Sequence, residues 1–180
     1  MHVHITNKQK DLPIGHLKEK IKLLAHHVVL LEKQHFDEVS ITFASDRLTR
    51  KIHNDYFNDP SPTDCMSFPI DSFSGEKEIL MLSTLERCQD PADLSEISSK
   101  NLGEIFVCPK TAINYASLHK KDPYEELTLY IVHGLLHLLG YDDLQTQERR
   151  TMRRREAYHM KALSQKGLTL SPKDHTRMRN

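Results

Sequence analysis

The sequence predicts an α+β fold, a small mixed β-sheet packed by helices in a single domain, and three observations predict it. Val39 to Ala44 (VSITFA) is rich in β-branched residues and alternates like a strand. Strand-like and helix-like segments then follow one another along the chain. Pro123 to Leu139 carries a long apolar helical pattern with clear start signals and two histidines one turn apart.

Taken in order, residues 2 to 6 (HVHIT) alternate like a short edge strand, and from about 14 to 33 Leu17, Ile21, Leu24, Val28 and Leu31 recur at helical spacing. After the strand at 39 to 44, Leu48, Ile52 and Tyr56 mark one side of a helix that starts near Asp46. The turn-rich NDPSP of 58 to 62 leads into a strand from Asp64 to Ile70, ended by Pro69. Residues 71 to 101 mix an apolar ILML with a serine-rich polar run and read as an irregular loop. Gly103 to Cys108 reads as a strand and Pro109 to His119 as a short helix. Asp122 is placed to cap the next helix, Pro123 suits its first position, and Glu125 stands where a capping box wants a carboxylate. A last helix from about Gln145 to Ser164 carries arginines on one face and Met152, Glu156, His159 and Leu163 on another. One domain is expected over 1–165, with 166–180 a basic, flexible tail.

Composition narrows the function classes. At 180 residues and 38% hydrophobic, the chain can build one core and not two comfortable ones. Its most apolar stretches, around Leu23 to Leu31 and Leu127 to Leu139, are short and interrupted by histidines, so neither a signal peptide nor a membrane span is expected. Cys65, Cys88 and Cys108 are odd in number and lack CxxC spacing, which argues against a disulfide framework or a cysteine-rich zinc site and for a reducing cytoplasm. The formal net charge of zero hides an asymmetry. From Arg149 onward there are ten Lys or Arg against Glu156 and Asp174, leaving 15 basic and 23 acidic residues before it. Arg149, Arg150, Arg153, Arg154 and Arg155 recur on neighbouring helical turns, a stripe suited to phosphate oxygens, although such a run is more often a solvated face.

The chemistry is concentrated in IVHGLLHLLGYDDL, from Ile131 to Leu144. His133 and His137 project from one helical face. Gly140 sits where a helix ends in the left-handed conformation, and the reversal carries Asp143 towards a third coordination position. Three protein ligands and one open position are the pattern of a catalytic zinc, whereas structural sites are closed by four ligands. The bland alternative is a core helix that happens to carry two histidines, and the matching Gly and Asp weigh against it. A peptidase of the HExxH type needs a glutamate after the first histidine, where this chain has Gly134. Two histidines and a carboxylate are also the facial triad of non-haem iron oxygenases, but the ligands here lie on a helix and no co-substrate signature accompanies them. For a general base the sequence offers only weak candidates, Asp142 and Glu104, and Asp142 also suits a ligand-orienting or turn-capping role.

HGLLHLLGYDD at 133 to 143 resembles the HGxLHLxGYDH signature of the YbeY-type endoribonucleases. The resemblance continues through Val39 to Pro69, where TDCMSFP is similar to the family's TDVLSFP, through LGEIFV at 102 to 107, similar to LGDIVI, and through Glu148, Met152 and Glu156. It covers most of 39 to 163. It implies one zinc per subunit, hydrolysis of single-stranded RNA, and a role in maturing the 3′ end of small-subunit ribosomal RNA and in ribosome quality control, with the small ribosomal subunit as partner.

Two departures stand out. Asp143 replaces the family's third histidine, which adds a negative charge to the ligand set, weakens the field on bound water and makes manganese or iron(II) better competitors. Phe57 follows Tyr56 where the family's YRxKD segment has an arginine; it loses a phosphate-holding cation but can stack on an unpaired base or simply pack under a loop. Arg47, Arg50, Lys51, Arg149 and Arg153 are the candidates to restore positive charge. Both departures also favour an alternative, a metal-binding ribosome-assembly or RNA-binding factor with little nuclease activity.

Overall fold

The computed structural model describes residues 1–70 and 100–172. Its sheet has four strands, β1 (His2–Lys8), β2 (Glu38–Ala44), β3 (Cys65–Pro69) and β4 (Asn101–Val107), in the order β1-β2-β4-β3. β1 and β4 run parallel to β2, and β3 runs antiparallel to β4, so the sheet is mixed as expected. The described helices are α1 (Lys18–Leu31), α2 (Asp46–Phe57), α3 (Pro109–His119), α4 (Pro123–Leu138) and α5 (Thr146–Gln165). Cys88 and the apolar run at 79 to 82 lie outside the described residues.

Alternation along β4 sorts the two faces of the sheet. From Gly103 onward, Ile105 and Val107 are buried in the core, while Glu104 and Phe106 point to the other face. α4 packs on the Ile105 side, close enough that a Cβ added at Gly134 would stand 3.2 Å from the Ile105 side chain. On the opposite face Phe106 meets Phe68, with ring centroids 5.8 Å apart, and Phe68 meets Tyr56 of α2 at 4.9 Å. β4 starts two residues earlier than its composition suggests. Gly103 hides the start, because it takes a φ of +127° where the strand passes Pro69, and a Cβ there would lie 2.4 Å from the Phe68 carbonyl oxygen.

α4 is the central helix, packed against β3, β4, α1, α3 and α5. From Tyr124 to Leu138 every position is buried except Glu125, Leu129, His133 and His137, four residues apart. A helix apolar nearly all round belongs in a core, and its one open stripe is where polar side chains can work. Asp122 caps it by accepting from the Tyr124 N–H at 2.7 Å. The reciprocal capping box forms instead at the start of α5, between Gln145 and Glu148.

Two boundaries move. The first helix opens with a tight turn at Gly15–Leu17 before α1 begins. At the other end the packed chain continues past 165, since Leu170 is buried and its N–H donates to Thr128 Oγ1 of α4 at 3.0 Å; an apolar residue five places beyond a helix end gave no periodic signal.

Candidate metal centre

The termination of α4 builds the site. Gly140, at a φ of +92°, donates its N–H to His137 O at 3.0 Å, and Tyr141 N–H reaches back to Leu136 O at 3.0 Å. That pair of bonds is a Schellman closure, and it turns the chain back over the last turn of its own helix. Asp142 then accepts from the N–H groups of Asp143 and Leu144 at 2.7 and 3.4 Å, ordering the turn that presents Asp143. From α5, Arg149 donates to the carbonyl oxygens of Asp143 and Leu144 at 3.2 and 3.4 Å.

His133, His137 and Asp143 thereby converge, each offering a ligand atom within 4.8 Å of the others. The Nε2 atoms of the two histidines stand 3.0 Å apart, and Asp143 Oδ1 lies 3.9 Å from His137 Nε2. The outward nitrogens are already engaged. His133 Nδ1 pairs with Glu156 Oε1 of α5 at 2.6 Å, and His137 Nδ1 with the Tyr141 carbonyl oxygen at 3.0 Å. Both acceptors require Nδ1 to carry the proton, which leaves two Nε2 lone pairs facing each other beside a carboxylate. Such a donor set repels itself unless a cation lies between, so these residues fit a divalent metal ion.

The surrounding charges and burial act on the two rings in opposite senses. Burial pushes the His133 pKa down, but the Glu156 hydrogen bond and the charges of Asp64 and Asp143 outweigh it and hold the ring above its ordinary range. Burial and the neighbouring His133 push His137 down, against the pull of Asp143. Asp64, just before β3, thus adds a negative charge near His133, and Cys65 beside it is a buried thiol whose pKa burial drives well up.

A further layer anchors the ligand turn. Tyr141 OH donates to Glu32 Oε2 at 2.8 Å, while Glu32 Oε1 accepts from Arg155 and from the fully buried His159. Glu32 caps the end of α1, so one carboxylate ties α1, α5 and the turn behind His137 together. Burial opposes ionisation of Glu32, but the bonds from Arg155, His159 and Tyr141 prevail and hold its pKa below the carboxylate norm. Neither Glu32 nor the positioning role of Glu156 was visible in the sequence; Glu156 stood out only by its core spacing within an arginine-rich helix and its place in the family pattern.

Beside the candidate ligands a cleft of about 470 Å³ runs along β3, an edge strand of the sheet among the described residues, between His137 and Asp143 on one wall and His53 and Phe57 on the other. Phe57 stands at its rim, 57% exposed, with its ring 5.4 Å from that of His53. The other sequence candidates are placed elsewhere. Arg50 is bound to Asp46 and to the Pro60 carbonyl oxygen, and Lys51 pairs with Asp55. Arg149 holds the ligand turn, and Arg153 lies on the outer surface of α5 with Arg150 and Arg154. Among the described residues no Lys or Arg lines the cleft. Asp142 lines it with its carboxylate engaged by the turn, and Glu104 lies on the far face of the sheet, accepting from Thr42 Oγ1 at 2.8 Å.

No helix among the described residues is long and apolar enough to cross a membrane. Residues 4–164 match the family model described as endoribonuclease YbeY. An endoribonuclease YbeY of Protochlamydia amoebophila is 42% identical over 158 residues, covering 88% of this chain and 90% of that protein. One from Chlamydia caviae is 35% identical over 172 residues, covering 94% and 95%. The solution structure of TM1509 from Thermotoga maritima superposes with a TM-score of 0.53 at 17% identity over 95% of this chain and 97% of that one, a likeness of fold.

Proposed function

The chain belongs to the endoribonuclease YbeY family, and on that footing we propose that it is a zinc-dependent endoribonuclease selective for single-stranded RNA. In this reading it matures the 3′ end of small-subunit ribosomal RNA and takes part in ribosome quality control in the cytoplasm, with the small ribosomal subunit as partner. One observation carries the chemistry: two Nε2 atoms 3.0 Å apart, with both Nδ1 atoms engaged and Asp143 alongside, at the wall of an open cleft.

His133, His137 and Asp143 would hold the metal. Bound there, a divalent ion supplies a Lewis acid for a phosphoryl oxygen and lowers the pKa of a water molecule at its open position. The chain's own groups supply order. Glu156 and the Tyr141 carbonyl fix both imidazoles in one tautomer and orientation. Gly134 faces Ile105, so the position that bears the base in HExxH peptidases points into the sheet and not into the cleft. Phe57 offers a ring at the cleft rim for an unpaired base, which suits single strands.

A second reading draws on one feature of the cleft. Its described lining carries Asp142 and Asp143 and no Lys or Arg, which favours a metal-binding assembly or RNA-binding factor with little nuclease activity. Incubating an unstructured RNA with the protein, with and without chelator and alongside His133→Ala, separates the two. Cleavage that needs both the metal and His133 supports the nuclease. Metal binding and salt-sensitive RNA binding without cleavage support the assembly factor.

A further inference from the structure

The five arginines that open α5 look alike in the sequence and do different work in the structure. Arg149 is committed to the ligand turn and Arg155 to Glu32, while Arg150, Arg153 and Arg154 are exposed and, among the described residues, pair with no carboxylate, Arg154 donating only to Thr151 Oγ1. These three, with Gln147, surround a depression of about 410 Å³ on the outer face of α5. Its position relative to the metal cleft is the telling feature. The cleft shares Gly140, Tyr141 and Asp142 with a smaller hollow of about 230 Å³, and that hollow shares Gln147 with the arginine depression. Three neighbouring hollows, linked by shared lining residues, therefore run from Asp143, past the ligand turn, to three guanidinium groups without a carboxylate partner among the described residues.

We propose that this arginine cluster is an RNA-backbone site outside the metal cleft, which receives the phosphates of the strand as it leaves the metal centre. Charge complementarity argues for it. A polyanion drawn into a cleft lined by Asp142 and Asp143 needs cations nearby, and the cleft's described lining has none. Guanidinium groups match phosphate oxygens bidentately, and Arg150 and Arg154, one helical turn apart, present two of them on one face. This succession of hollows also divides the labour: Phe57 and the metal ligands take the nucleotides at the scissile bond, and α5 takes the strand beyond. The inference rests on the nuclease reading, and its test is built to separate the two.

The test compares the full-length wild type with R150Q/R153Q/R154Q and with R150K/R153K/R154K, on unstructured RNAs of about 4 and about 16 nucleotides, lengths that span common single-strand site sizes. All three side chains are on the surface, and matching thermal melts establish that the variants fold. For the glutamine variant the long RNA should bind roughly tenfold or more weakly, and the dependence of log Kd on log salt should flatten by about 2, from three phosphate contacts at about 0.7 each. Cleavage of the short RNA should be unchanged, and the lysine variant should keep most of the long-RNA affinity. Equal losses on both lengths, or unchanged affinity and salt slope on the long RNA, overturn the proposal; the second result would assign the cluster to some other acidic partner. If the wild type neither binds nor cleaves either RNA, the nuclease reading itself fails.

Discussion

Glu156 Oε1 lies 2.6 Å from His133 Nδ1, so a carboxylate on α5 fixes the tautomer of a histidine on α4 across 23 residues of sequence. The partner of a ligating imidazole commonly changes metal affinity or activity by about 10- to 100-fold when it is removed. Glu156→Ala should therefore weaken metal binding by about that factor, with Glu156→Gln intermediate, in competition against a chromophoric chelator. Unaltered affinity in both variants would mean that the contact does not hold the ring.

Glu32 gives the clearest pH dependence. Its carboxyl is held below its ordinary value of 4.5, so its contribution to stability is complete above that pH and is lost as pH falls through the lower folded-state value. Denaturant melts of wild type should show a loss of stability below about pH 4.5 that is smaller in Glu32→Gln. Removing the whole side chain leaves the buried His159 without its acceptor and Arg155 without its partner, and Glu32→Ala should cost about 1 to 3 kcal/mol near neutral pH. A variant as stable as wild type at pH 7 and at pH 4 would contradict this.

The Schellman closure predicts a backbone effect. Gly140 has open space around its Cα but a φ of +92°, so Gly140→Ala meets no clash and still costs about 1 to 2 kcal/mol. Asn tolerates this region better, and Gly140→Asn should lose less stability and less metal affinity than Gly140→Ala. The reverse order, in paired melts and metal titrations, would sink the idea that the turn's conformation sets the position of Asp143.

Phe57 is exposed on the cleft rim, so its replacement should leave the fold intact. If it stacks on a base, Phe57→Ala should weaken single-strand binding by about 1 to 3 kcal/mol while Phe57→Tyr retains it. Fluorescence anisotropy on a short unstructured RNA measures both, and equal affinities for all three proteins would leave the residue without that role.

What the sequence revealed was local. Asp122, Pro123, the histidines four apart and Gly140 lie within twenty residues, where helix geometry alone dictates who faces whom, and α4 and the convergence of His133, His137 and Asp143 were legible for that reason. Glu156 and Glu32 were not, because their partners are set by packing: Glu32 meets Tyr141 across 109 residues of sequence. The arginines of α5 carried the same ambiguity, since a charge run does not reveal that Arg149 and Arg155 are committed to the fold while Arg150, Arg153 and Arg154 are not.

The central claim is that His133, His137 and Asp143 hold one metal ion on which RNA cleavage depends. Its most direct test titrates metal-free protein with zinc while following cleavage of an unstructured RNA, for wild type, His137→Ala and Asp143→Ala. The account predicts that wild-type activity rises linearly and breaks at one equivalent, while neither variant responds in that range. Cleavage that is already maximal without metal and survives in His137→Ala, or an Asp143→Ala protein that titrates like the wild type, would contradict it.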